Sequence, residues 1–313
     1  MMNRFLLLQA LALTLLVVAP GVAGPEQREL RVDGKAVLSY QSRPMSHPKG
    51  GDRFKGSNFI HPLKTPAGFV VTDLQPEDHL HHFGLWWPWK YIQTEGRKVL
   101  CWELQRGDGI IEARASQATR SGFTAQSVYI DRKAPGGPDS LLNETLHVSI
   151  SEVVALPAPG YFVDLKIVHA VAGDTPLTIS KYRYSGFALR GSAVWNTNNS
   201  TVLTSEGHAY SDANTTRARW VRIEGATAHD ATAGVIMMSH PGNHTHPEKL
   251  RTWGPRMHNG AIFINFNTVQ DTSWLFEPGK SYTRRYRLFI YDGAVPAAQA
   301  EACWKAYSAS EVR

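Results

Sequence analysis

The chain has 313 residues, and its 33 Lys and Arg against 27 Asp and Glu leave a formal net charge of +6. That excess is dispersed without a basic run, which argues against a nucleic-acid partner and for only a modest attraction to anionic ligands. Two cysteines are too few for a disulfide framework.

In chain order, Met1-Met2-Asn3-Arg4 precedes an apolar run from Phe5 to Val18 and then Ala19-Pro20-Gly21-Val22-Ala23. A basic start, a short apolar core and small residues at a cleavage point predict a signal peptide over 1–23 and export to the periplasm or beyond. Losing Arg4 would take the charge to +5 on a mature chain, 24–313, expected to form one domain. No later run approaches about 18 consecutive apolar residues, so no membrane span is expected.

From Arg28 to Ser42, alternating residues flank Asp33-Gly34, the mark of a hairpin with a type I′ turn. Further strands are expected at 69–73, 98–105, 110–116, 123–130, 145–154, 162–170, 177–184, 219–223, 234–239, 261–266 and 282–291. Short alternating segments bounded by Gly, Pro, Asn and Asp bury one face each, which predicts an all-β fold, a large antiparallel sandwich or supersandwich. Pro135-Gly136-Gly137-Pro138 reads as a surface loop. One helix is expected at the end, starting at Pro296, with Ala300, Cys303, Trp304 and Tyr307 on one face. Cys101 and Cys303 could pair in an oxidising compartment, but their apolar neighbours suit buried free thiols.

Two segments, Arg43 to Lys90 and Arg190 to Asn259, lack strand pattern and are crowded with His, Trp, Asn and Arg. Such loops on a β scaffold are where binding and catalysis concentrate. The first contains His61, Asp78-His79-Leu80-His81-His82 and Trp86-Trp87-Pro88-Trp89. Imidazoles titrate near neutrality, so His79, His81 and His82 are candidate general acids and bases. Equally, two of them with His61 or Asp78 could hold a divalent metal with an open position. Trp86 and Trp87 are candidate platforms for the C–H faces of a sugar, though at least one Trp of that run should be scaffold. Glu206 is a candidate complementary carboxylate, and Arg190 a candidate orienting group through its fork of donors. Arg43, His61, Asp78, His240 and Asn243 complete the candidate substrate-binding set, His244 and His246 being potential additions. His61, one of the three clustered histidines, Glu206 and His240 are expected to converge on one pocket. No phosphate-binding loop, Gly-x-Ser-x-Gly elbow or His-Glu-x-x-His pair occurs.

Phe59-Ile60-His61-Pro62-Leu63, Thr65-Pro66, Gly68, Val71-Thr72, Pro76, Asp78-His79, His81-His82 and Gly84-Leu85-Trp86 together resemble an exported bacterial family often labelled "methane oxygenase PmoA". Ser205-Glu206-Gly207, Arg219-Trp220, His240-Pro241, Asn243 and Pro278-Gly279 extend the resemblance over nearly all of the mature chain. The chain departs at Arg256-Met257-His258-Asn259-Gly260, where the family usually has an Arg-x-Tyr-Gly-like stretch. The label does not fit physically, since membrane-bound methane oxidation needs several spanning helices. The resemblance implies a galactose mutarotase-like supersandwich and a role in polysaccharide utilisation. The expectation is therefore a carbohydrate-active epimerase, lyase or hydrolase. The competing expectation is a non-catalytic glycan-binding module with structural histidines.

Overall fold

The computed structural model describes residues 27–227 and 231–310. The expected export segment, 1–23, lies outside the described residues.

The fold is an all-β sandwich with one C-terminal helix. One sheet runs, in spatial order, Arg28–Val32, Lys35–Gln41, Phe59–Leu63, Leu85–Trp86, Phe187–Arg190, Phe263–Asn267 and Lys249–Thr252. The facing sheet runs Ser200–Thr204, Trp220–Ala226, Thr232–Ser239, Ser281–Asp292, Pro159–Val171, Asp139–Ile150, Gly122–Asp131 and Gly109–Thr119, with Val154–Ala155 added beside Pro159–Val171. All pairings are antiparallel, so each strand presents alternate residues to opposite faces. Between the sheets lie Leu38, Ile60, Leu85, Phe187, Leu189, Val221, Val235, Leu288 and Ile290, and Phe187 stacks on Tyr286 at 3.9 Å. A four-stranded sheet (Trp274–Phe276, Leu177–Ile179, Tyr91–Thr94, Arg97–Leu100) covers a second apolar cluster around Trp89 and Tyr129.

The Asp33-Gly34 hairpin forms with both residues at positive φ, 48° and 75°, as a type I′ turn requires. The helix spans Ala297–Ser308 after Pro296. It packs Ala300, Cys303 and Tyr307 on Trp220, Ile236, Met238, Phe289 and Tyr291, the outward residues of the larger sheet. Cys101 and Cys303 are buried free thiols.

The segment Arg43–Lys90 is less irregular than its sequence suggests: it holds the strands Met45–His47, Gly51–Gly56, Phe59–Leu63 and Leu85–Trp86. Conversely, 69–73 is no strand and makes only isolated bridges, Lys64 to Val70 and Thr72 to Gly191. The sandwich core also contains a charged group. Glu144 is fully buried and accepts hydrogen bonds from Asn58 (2.7 Å), Trp87 (2.9 Å), Ser127 (3.2 Å), Tyr129 (3.3 Å) and His169 (2.8 Å). Burial alone would raise its carboxyl, but the His169, Trp87 and Asn58 donors outweigh burial and hold it at about 2.

Candidate functional site

The outer face of the seven-stranded sheet carries the histidines. Because Phe187 and Leu189 point inward, Ala188 and Arg190 point outward, and their register partners Trp86 and Phe263 share that face. Onto this surface the chain folds a closed loop: His79 N donates to Pro76 O, His82 N to His79 O and Gln75 N to His82 O, at 2.7–2.9 Å. Gly84 ends the loop at φ +67°, where a Cβ would stand 2.7 Å from Ile60 O. Only glycine fits that turn into the strand.

Asp78 fixes the loop to the sheet. Its carboxylate accepts both terminal nitrogens of Arg190, at 2.9 and 2.8 Å, and lies 3.1 Å from His79 Nδ1 and 3.7 Å from His258 Nδ1. Burial opposes ionisation, but His79 and Arg190 override it and keep Asp78 well below the usual carboxylate range. Arg190 is 4% exposed, and the planes of its fork are taken by Asp78. It therefore positions Asp78 rather than presenting donors to a ligand.

The imidazoles of His79, His81 and His82 enter one cavity of about 140 Å³, whose walls are completed by Trp102, Arg183, Tyr184, Arg251, Trp253, Met257, His258 and Phe263. His79 lies 4.4 Å from His258, 4.6 Å from His82 and 4.7 Å from Trp253, centroid to centroid. His82 is buried between Trp86 and Phe263, and its Nδ1 has no hydrogen-bond partner. Burial is the main cause pushing His81 down to about 4 and His82 well below its ordinary value. Both are neutral at neutral pH and can accept a proton or a cation. His258 sits in a turn at φ 51°, next to Asn259 at φ 56°. Left-handed backbone at two successive non-glycine residues is unusual, and here it aims an imidazole into the cavity.

Among the described residues, two groups could hold a metal: His79, His81 and His82, and Asp78, His79 and His258, each with candidate ligand atoms within 4.8 Å of one another. They share His79. Asp78 is already engaged by Arg190, so the three-histidine group fits a borderline cation better.

The remaining sequence candidates lie elsewhere or do other work. His61 bonds Thr72 Oγ1 at 2.9 Å on the same sheet face, outside the cavity lining, and burial pushes it down to about 4. Trp86 lies against His82 but is 3% exposed, packed scaffold rather than an open platform. Trp87 points the other way, into the sandwich, and donates to Glu144. Arg43 is exposed in the bend after Lys35–Gln41.

Glu206 and His240 do not converge with the histidines. Glu206 is half exposed, 3.6 Å from Arg219, which in turn meets Glu301 and Trp304 of the helix. His240 lies 5.3 Å from Tyr307 of the same helix. Since that helix covers the outer face of the larger sheet, both sheets separate these two residues from the cavity. Asn243 clamps the Arg285 backbone, its Oδ1 accepting at 2.7 Å and its Nδ2 donating at 2.8 Å. It joins Ser239, Thr268 and Tyr286 around buried Glu248. His244 stacks on Trp274 at 4.1 Å, and His246 approaches Ser239 Oγ at 3.2 Å.

Sequence reading missed Trp102, Arg183, Tyr184, Arg251 and Trp253. Arg251 and Trp253 reach the cavity because Lys249–Thr252 pairs with Phe263–Asn267, with Arg251 opposite outward-facing Asn265. Beyond them, Glu103 accepts from Tyr184 Oη at 2.5 Å and pairs with Lys90, whose ammonium sits among the rings of Tyr91, Tyr182 and Tyr184. That arrangement fixes the Tyr184 ring at the rim.

Among solved structures, the chain is similar to GH36 alpha-galactosidase AgaA from Geobacillus stearothermophilus. The match to a form in complex with raffinose has TM-score 0.40 and 12% identity over 86% of this chain and 41% of that chain. A form in complex with 1-deoxygalactonojirimycin gives TM-score 0.39 and 12% identity over 85% and 40%. The chain thus spans about two fifths of the length of those proteins. A search of curated proteins finds no match. Residues 27–305 match the model of a family of unknown function, DUF6807, and the chain belongs to that family.

Proposed function

We propose that the protein is an exported carbohydrate-active enzyme that moves protons at the cavity of His79, His81, His82 and His258. The observation that carries this reading is three imidazoles, with candidate ligand atoms within 4.8 Å, opening on one cavity walled by Trp102 and Trp253. Aromatic faces suit the C–H faces of a sugar ring, and the imidazoles of His81 and His82, kept neutral by burial, suit general-base work at neutral pH. Asp78 accepts from His79 Nδ1, which leaves Nε2 as the nitrogen His79 offers to a ligand. Arg190 holds Asp78 in place for that task.

Among the described residues, no carboxylate lines the cavity. A reaction that needs two carboxylates flanking a glycosidic bond is therefore disfavoured against an imidazole-based epimerisation or elimination. The resemblance to the exported family with the methane oxygenase label supports secretion and polysaccharide processing as the setting.

The test is to incubate mature protein, with and without chelator, with acidic and neutral oligosaccharides and to follow products by proton NMR. A new anomeric or unsaturated signal that disappears in His81→Asn supports the reading. Saccharide binding with no turnover of any member would assign the chain as a binding module instead.

A second reading, a metal-dependent enzyme, is favoured by the same grouping of His79, His81 and His82. It predicts stoichiometric Co²⁺ binding with a visible d–d spectrum that is lost in His81→Asn. Full activity after exhaustive chelation would exclude it.

A further inference from the structure

Among the described residues, the cavity wall holds four histidines and two arginines, Arg183 and Arg251, and no acid. The nearby carboxylates are already committed, Asp78 to Arg190 and Glu103 to Lys90. Among the described residues, neither Arg183 nor Arg251 forms an ion pair with a carboxylate. Arg251 donates only to the neutral side chain of Asn214, at 3.2 Å, and Arg183 lies over the Tyr184 ring at 5.6 Å.

Two guanidiniums gathered on one small cavity repel each other, and partial burial adds to the cost. Both effects lower Arg251 from its ordinary value, burial first and then the Arg183 charge. Other arginines of the fold do have acidic partners: Arg190 meets Asp78, Arg217 meets Asp271 and, on the opposite face, Arg287 meets Asp164. Unmatched cations at a cavity are stabilised when an anion enters. A guanidinium fork fits the planar, two-oxygen geometry of a carboxylate best. The ring bearing that carboxylate would then lie against Trp253, with the histidines at its carbons.

We propose that Arg183 and Arg251 form a carboxylate subsite, so that the ligand is an acidic saccharide built from uronic acid units. This rests on the carbohydrate reading above and narrows it to one substrate class.

The experiment is isothermal titration calorimetry of mature protein at low salt. The probes are glucuronate, galacturonate and mannuronate trisaccharides, their carboxyl-reduced neutral counterparts, a sulfated galactose trisaccharide and free malonate. At least one uronate should bind about 10-fold or more tightly than its neutral counterpart, the scale of one charge-assisted interaction. That preference should vanish in R183A/R251A. Arg251→Gln alone, which keeps a hydrogen-bonding side chain, should lose most of it and serves if the double variant does not fold.

Equal affinity for acidic and neutral saccharides, or a preference that survives R183A/R251A, overturns the subsite while leaving the carbohydrate reading intact. A stronger arginine-dependent preference for the sulfated probe overturns the carboxylate assignment. Arginine-dependent malonate binding with no saccharide bound would support the carboxylate subsite and overturn the carbohydrate reading.

Discussion

Replacing Asp78 by Asn keeps the side-chain shape and removes the charge that both Arg190 nitrogens and His79 engage. Deleting one partner of a buried ion pair costs about 3–5 kcal/mol, because the other charge is left uncompensated. Asp78 retains 27% of its side-chain exposure and Asp73 stands 4.0 Å from Arg190 Nε, so the low end applies, about 3 kcal/mol. For a chain of this length that lowers Tm by about 6 °C, at roughly 2 °C per kcal/mol. Arg190→Met removes the charge without orphaning an acid of comparable burial and should cost less. In the double variant the two losses should overlap by about 2 kcal/mol, the signature of direct coupling. Calorimetric unfolding of the four proteins measures this. Additive losses, or D78N within about 1 °C of wild type, would refute the view that this pair fixes the histidine loop to the sheet.

Other outcomes follow from the same geometry. Glu144→Gln turns the Oε2 acceptor of His169 and Tyr129 into a donor and should cost about 3–5 kcal/mol, read as a Tm fall of about 6–10 °C. The stability that Glu144 contributes through its depressed folded value is fully present above the ordinary value of 4.5 and is lost as pH falls through about 2, so acid unfolding in Glu144→Gln should show a weaker pH dependence over that window. If His81 is the base, turnover should stay flat from pH 7 down to about 5 and fall as pH drops through about 4, where His81 takes its proton; a decline beginning near 6.5 would exclude it. Glu206→Ala, on the far side of the sandwich, should leave turnover within about twofold and stability within about 0.5 kcal/mol of wild type.

Much of the scaffold was legible because it is local. Asp33-Gly34 demands its turn, the 3.6-residue period of Ala300, Cys303 and Tyr307 gives the helix face, and alternation marks the long strands. The histidine loop was legible for a related reason: His79, His81 and His82 lie within four positions, so any compact turn brings them together. Short strands such as Phe59–Leu63 and Leu85–Trp86 escaped because their pattern is hidden among polar motif residues. That Glu206, His240 and Asn243 lie apart from the histidine cavity has a physical cause as well. Small polar residues near Gly and Pro look alike whether they serve a ligand or, as Asn243 does, satisfy a backbone hinge around a buried carboxylate. Arg251 and Trp253 could not be assigned from one sequence, since only the pairing of Lys249–Thr252 with Phe263–Asn267 brings them beside residues nearly 170 positions away. Trp87 shows the converse: strand alternation alone separates it from Trp86 and sends it to Glu144.

The central claim is that the imidazoles do chemistry on a bound saccharide rather than fill space. The direct measurement is kcat and Kd for wild type and His81→Asn on one oligosaccharide that wild type converts. A general base contributes about 10²- to 10⁴-fold, so kcat should fall by at least about 100-fold while Kd changes by less than about threefold. Unchanged kcat in the variant, or a loss confined to Kd, would contradict the account and leave the cavity as a binding site only.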